Sequence, residues 1–498
     1  MNLGASMLDG FGRVANAARS VVAAIGVGIG KITNRYEGAV NDGMRSNIPG
    51  QLQGARFDAS AATRKELVRK SRYFERNSAL VNRLADLFEA YTVGGGLVFQ
   101  PNSSSEAWNK AAKAAWEDWC VMPDASSRLP MATIQSLAAR SWFIDGEVFI
   151  HLAEGSSSWR PRIQLFESHL CKSPQQTGNT DDVFDGVKLD PASGRPLLYY
   201  FGSEGFGGNV TNLKPFSTDV IVHLWEPSRP QMVRSLPYLY PVLNLLHDLD
   251  DLQILEMKVA KQAARIGIVT KNQAGEQEAD EFLRNGGSVT SSSDPEREAY
   301  YRNSLGGEEV VMKTGDSLEQ FRSDRPTIVT MEYWRHLQSQ VCMGVGIPYV
   351  VAFPDSMQGT VYRGALDMAN AWFLCRHAVL ASAFRRVYEH FMGRAIYSIP
   401  ALKDPPSDWK NVRIHPPKAV NVDVGRNSNA MLAELAAGSL TYSEIFGQKG
   451  QDWREGLTQR KAEQDFIESL GLKLQVSQVQ TAAQVEQIQQ NQPQGVPA

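Results

Sequence analysis

A chain of 498 residues, 43% hydrophobic and 21% charged, is long enough for several domains with buried cores and has the balance of an ordinary folded protein rather than a disordered one. With 51 basic and 54 acidic residues its net charge is −3, which argues against a molecule built to grip nucleic acid by displacing counterions. Four scattered cysteines (Cys120, Cys171, Cys342, Cys375) form no CxxC pair and read as free thiols in a reducing compartment, with neither a disulfide framework nor a metal site.

Residues 1–45 are rich in Ala, Gly, Ser and Asn with weak periodicity, and read as a mobile or extended arm. Within them VVAAIGVGIG, preceded by Arg13 and Arg19, is too short to span a membrane and lacks a clean cleavage site after it. One helix is predicted over 58–89, closed by the triple glycine Gly94, Gly95, Gly96. A second is predicted over 103–121 with a serine cap before Glu106, and a third over 131–140. Short apolar runs bounded by Gly, Pro, Ser and Asp then predict strands at 146–154, 162–168, 186–190, 195–202 and 219–225, an α+β unit with a mostly antiparallel sheet.

The segment 237–265, PYLYPVLNLLHDLDDLQILEMKVAKQAAR, comes next. Val242, Leu245, Leu246, Leu249, Leu252, Leu255 and Val259 make one helical stripe, with Asp248, Asp250 and Asp251 ahead of Lys258, Lys261 and Arg265, as the helix dipole favours. Such a helix would be roughly 40 Å long. Residues 266–324 change character, with about six more acids than bases. A helix over 326–343 ends in GVGIPY, a Gly/Pro/polar loop leads to a helix over 362–392, and an extended segment within 395–420 returns to the sheet. Short helices fill 425–472, and a Gln-rich tail closes the chain.

Catalytic signatures fail on inspection. GIGKIT at 28–33 approaches a phosphate loop, but Ile25 holds the first glycine position and Ile32 the hydroxyl position. There is neither a G-x-S-x-G elbow nor an HExxH pair, and the eight histidines are dispersed. Asp248 and Asp251 share a helix face but have no evident third ligand for two-metal chemistry, so dipole complementarity is the simpler account.

Six segments in order resemble the portal proteins of tailed bacteriophages, specifically the lambda-type family. They are GEVFI (146–150), GVKLDPASGRPLLYYF (186–201), VHLWEPSRPQMVRSLPYLYPVL (222–243), KTGDSLEQFRSDRP (313–326), GVGIPY (344–349) and LTYSEIFGQKGQDWREGLTQRKAEQDFIESLGL (440–472). The likeness extends over about 64–472, with departures at Ser235, where the family favours Gly, and at TVYRGAL (360–366). It implies a portal fold: an arm (1–45), an α+β wing (46–236), stem helices (237–265 and 325–345), a clip (266–324), a tunnel-loop region (346–361), a long helix returning to the wing (362–424), a crown (425–472) and a disordered tail (473–498).

By the same resemblance the chain would form a closed ring, a dodecamer by expectation, at one vertex of a virion capsid. It would assemble in the host cytoplasm and pass double-stranded DNA in packaging and ejection. Its partners would be the terminase large subunit, a head-to-tail adaptor, the major capsid protein and scaffold, with no membrane, no cofactor, no metal and no catalysis. Asp355, Ser356, Met357 and Gln358 would face DNA without ionic grip; Leu245, Leu249, Leu252, Leu255, Trp334, Leu337 and Val341 would pack the stem; Glu276, Glu278, Glu281, Glu296 and Glu298 would offer an acidic docking surface. A near-neutral wall suits a sliding duplex, because every Lys or Arg contact adds affinity and so acts as a brake. A head-to-tail adaptor or a minor capsid structural protein is the alternative; a packaging enzyme would need the phosphate loop the sequence lacks.

Overall fold

The structure is a computed structural model and describes residues 54–155, 160–174, 182–265, 328–353, 359–417, 424–449, 451 and 453–471. Residues 1–57 and 58–498 are two compact units, and only 54–57 of the first are described. The second unit carries the sheets and the long helices.

The predicted helix over 58–89 is two helices, α1 (Ala61–Asn77) and α2 (Ala79–Thr92). They break at Ser78, whose φ of −108° and ψ of 118° are extended. Serine is prone to this, since its hydroxyl competes with helical hydrogen bonding. Ser60 caps α1 by accepting from the Thr63 N–H at 3.2 Å. The short strand β1 (Val98–Pro101), which periodicity did not mark, leads to α3 (Glu106–Cys120), capped by Ser105 as expected. Helix α4 (Met131–Asp145) runs one turn past the predicted end and stops at Gly146.

Strands β2 (Glu147–Ala153), β3 (Arg162–Phe166), β4 (Val183–Phe184), β5 (Val187–Leu189), β6 (Pro196–Glu204), β7 (Val210–Ser217) and β8 (Ile221–Trp225) make two sheets rather than one. One has the order β3-β2-β8 and the other β4-β5-β6-β7, with every strand pairing antiparallel. Periodicity did not mark β7 either, because apolar and polar residues do not alternate along it and five of its eight residues are exposed.

Helix α5 (Leu243–Arg265) begins after turns that hold Pro237 and Pro241; α6 (Ile328–Val345) comes after the undescribed 266–327. After a single turn (Tyr349–Ala352), α7 (Gly359–Ser398) runs 40 residues, about 60 Å. Its second half is core: Leu380, Phe384, Val387, Tyr388, Phe391 and Met392 are fully buried, and the Phe391 ring stacks on Trp119 at 4.5 Å. The predicted return to the sheet is β9 (Val412–His415), but it pairs with β1 in a separate two-stranded ribbon instead of joining the larger sheets. Helices α8 (Val424–Ala437), α9 (Tyr442–Gln448) and α10 (Trp453–Ser469) complete the described chain. Among the described residues, no helix is long and apolar enough to cross a membrane.

Candidate assembly and channel surface

Two features of this unit stand out: a sealed charge cluster and a pair of outer helices with apolar residues in water. Glu147, at the start of β2, is fully buried. It gets there because α4 ends at Gly146 with φ of 87°, a conformation favourable only to glycine, and because any Cβ at that point would lie 2.2 Å from the Leu236 carbonyl oxygen. Arg234, also buried, donates to Glu147 through Nε at 2.8 and 2.9 Å and through Nη2 at 2.5 Å. Its remaining donors reach the carbonyls of Asp185 at 2.5 Å and Ser168 at 2.8 Å. Arg64 on α1 donates to Asp185 Oδ2 at 2.6 Å and Glu147 Oε1 at 3.3 Å, and His223 Nε2 lies 2.9 Å from Glu147 Oε2.

The arrangement is charge-balanced. Burial opposes ionisation of Glu147, but Arg234, the His223 hydrogen bond and Arg64 together hold its carboxyl well below the ordinary range. Burial also holds the His223 imidazole below its usual value, which keeps it neutral at pH 7, so two guanidinium groups face two carboxylates. Burial pushes the neighbouring Cys171 thiol up to about 12, leaving it an inert packing group. Five segments are locked by these groups: α1, the β2 start, the turn before β5, β8 and the stretch leading to α5. Gly146–Glu147, His223 and Arg234 lie in the quoted segments, but nothing in the spacing showed that they meet.

That stretch also seats the outer helices. Tyr238 donates its hydroxyl to Glu226, which receives Arg376 Nη2 at 3.5 Å, and the Arg376 guanidinium lies 4.3 Å from the Trp372 ring centroid. Trp372 packs over Gly346 (φ 91°), the glycine of the GVGIPY turn. The two helices cross closely at their bases: a Cβ on Gly344 of α6 would stand 2.4 Å from Val242 Cγ1. Around this crossing Val242, Leu246, Leu249, Leu337 and Val341 are buried.

The predicted stem residues therefore divide. Leu249, Leu337 and Val341 are buried within the chain, Leu245, Leu252 and Trp334 are half-buried, and Leu255 is 57% exposed. Beyond Leu252 three apolar side chains of α5 turn to water, with Ile254 and Met257 joining Leu255, while Val259 stays half-buried. On α6 Ile328, Val329, Met331 and Tyr333 do the same. Asp355, Ser356, Met357 and Gln358, and Glu276, Glu278, Glu281, Glu296 and Glu298, lie outside the described residues. Among the described residues no group of three or more His, Cys, Asp or Glu is placed to hold a metal ion.

The family model for phage portal protein, lambda family, matches residues 44–365. The chain belongs to that family. The match includes the charge cluster, α5, α6 and the start of α7, and stops before β9 and α8–α10. This α+β chain is also similar to a chain in the virion of a native gene transfer agent particle, at 12% identity and a TM-score of 0.47, covering 78% of this chain and 93% of that one. A chain in the neck of the native particle, computed with C12 symmetry, gives 13% identity and 0.45, covering 76% and 92%. One in the neck of the empty particle, computed with C6 symmetry, gives 14% and 0.45, covering 76% and 93%. A comparison with curated proteins gave no match.

Proposed function

We propose that this portal protein is the subunit of a closed ring, expected to hold twelve copies, at one vertex of a capsid. Double-stranded DNA passes through the ring in packaging and again in ejection. The ring docks the terminase large subunit, then a head-to-tail adaptor, and is set in a shell of major capsid protein and scaffold. Assembly takes place in the host cytoplasm and the product resides in the virion. The chain is a passive conduit: the nucleotide chemistry of packaging belongs to the motor docked on it.

Family membership over 44–365 carries this reading, because the matched residues include both helices assigned to the stem. The outward apolar residues of α5 and α6 support it. Burying a Leu or Ile side chain is worth about 1.5–3 kcal/mol, and in a single copy Ile254, Leu255 and Ile328 gain little of that. Closed assembly requires the same head-to-tail contact on every subunit, and an exposed apolar helix pair meets that need. In this reading 354–360 is the tunnel loop, within the region 346–361, and 266–324 is the clip.

Negative-stain images of the purified full chain test the reading. Rings with a central hole are expected. Compact single copies at micromolar concentration would overturn the ring and favour an adaptor or minor capsid role, and DNA-stimulated ATP turnover by the purified chain would overturn the passive conduit.

A further inference from the structure

The first half of α7 carries a second face that nothing among the described residues covers, separate from the α5–α6 pair. Val361, Gly364, Met368, Ala371, Cys375 and Ala378 recur at spacings of three and four, and all six are exposed. Val361 and Met368 are 73% and 72% exposed, while the opposite face of the same turns, Leu366, Ala369 and Phe373, is buried. The stripe contains no charge over about 26 Å of helix. Alternating long and short side chains at heptad spacing suit another helix, whose side chains can enter the notches over Gly364, Ala371 and Ala378. A wall meant for water or for a phosphate backbone has no need of this pattern.

Charge on the two faces indicates what covers it. Asp367 is exposed beside the α7 stripe, with the exposed Arg363 one turn before it. On α6, Ile328 and Met331 are exposed apolar residues, and on the same side the exposed Glu332 lies beside them with the exposed Arg335 one turn on. One face offers notches edged by a base and then an acid, and the other offers projecting apolar side chains edged by an acid and then a base.

We propose that the α7 stripe is a subunit seam, covered by the α6 face of a second copy of this chain, with Arg335 of that copy set against Asp367. The inference rests on the ring reading and adds the identity of the surfaces that meet. The seam fixes the start of α7 to the neighbouring helix pair, so that each copy steadies the next.

Cys375 supplies a native probe, being the exposed thiol of the four, with Cys120 half-buried and Cys171 and Cys342 buried. The full-length protein is alkylated with a maleimide, labelling is resolved by peptide mass spectrometry, and ring content is followed by negative stain and sedimentation. Cys375 in assembled wild-type rings is expected to react about tenfold more slowly than in Met368→Glu, which remains folded by circular dichroism and fails to form rings. Met368→Leu retains both rings and protection. Arg335→Glu weakens assembly, and adding Asp367→Arg restores it. Rings in which Cys375 reacts as fast as in Met368→Glu would overturn the seam and leave the ring reading standing, as would Arg335→Glu rings unaltered in stability. Absence of rings from the wild type would overturn both.

Discussion

The charge cluster around Glu147 and the outer ends of α5 and α6 solve opposite problems. In the cluster every charge is taken from water and repaid inside one chain: Arg234 alone serves Glu147, the Asp185 carbonyl and the Ser168 carbonyl. On the outer helices apolar residues are left in water, with nothing among the described residues of their own chain to cover them. The first region is complete as a monomer and the second is not. Mutations in the two should therefore separate folding from assembly. A change in the cluster costs stability whether or not the protein assembles, whereas a change on the outer helices costs assembly and leaves the single chain folded.

The largest expected effect is at Arg234. Arg234→Met removes one guanidinium and strands Glu147 without its main partner, and breaking a buried pair in this way costs about 3–5 kcal/mol. Chemical denaturation would read it as a lowered midpoint at unchanged slope, in assembled and unassembled protein alike. A cost below about 1 kcal/mol would mean that water reaches the cluster, since exposed ion pairs are worth no more than that. The double change Arg234→Met with Glu147→Gln should recover part of the loss.

The cluster also predicts a pH dependence. Glu147 is held below its ordinary value when folded, so its contribution is present above the unfolded carboxyl value near 4.5 and is lost as pH falls. Glu167 acts in the same sense: the His169 hydrogen bond and the Arg72 charge, against a smaller penalty from burial, bring it to about 2. Stability should fall continuously between about pH 4.5 and pH 2. Glu147→Gln should flatten much of that slope, and an unchanged slope would place the acid-sensitive groups elsewhere.

Next in size is the crossing of the two helices. Gly344→Ala puts a methyl 2.4 Å from Val242 Cγ1, and such overpacking costs about 1–3 kcal/mol. Outward from the crossing the expectation reverses. Ile254→Glu should change the stability of the unassembled chain by about 0.5 kcal/mol or less, as exposed substitutions do, yet remove rings from negative-stain fields. A loss of stability matching that of Gly344→Ala would show the outer end of α5 to be packed within its own chain.

Sequence periodicity could see the second region far better than the first. The α5 stripe was legible because a helix writes its buried face at spacings of three and four, and α6 and α7 were found near their observed positions for the same reason. Which part of that stripe is covered by its own chain was not legible: Leu249 and Leu255 read alike in a string, and only the crossing near Gly344 separates them. The cluster was hidden because Arg64, Glu147, Asp185, His223 and Arg234 have no common spacing, and burial cannot be read from a lone charged residue. A weak signal was available in Gly146 followed by a glutamate within an apolar strand, an odd place for a charge without a partner. β1 escaped for a related reason: it is four residues long and is a strand only because β9 lies beside it, and the extended return predicted within 395–420 carried no sign of that partner.

The smallest effect concerns the attachment of the C-terminal helices, a third kind of contact between those two extremes. Helix α10 meets α3 through Lys113 and Glu455 at 2.5 Å and through Arg454 and Glu106 at 3.4 Å, beside a cleft of about 540 Å³ lined by polar residues that include Gln100, Gln459 and Arg460. Both carboxylates are largely exposed, so each pair should contribute about 0.2–1 kcal/mol and weaken with salt. The firmer hold is at α9, where Gly447 packs against the His415 ring with no room for a Cβ. Glu455→Gln should therefore speed amide exchange in α10 about two- to five-fold and leave α9 unchanged, with wild-type protein in about 0.5 M salt behaving like the variant. Exchange in α10 that ignores both salt and substitution would show its apolar contacts with α9, through Gly456 and Phe446, to be the true anchor.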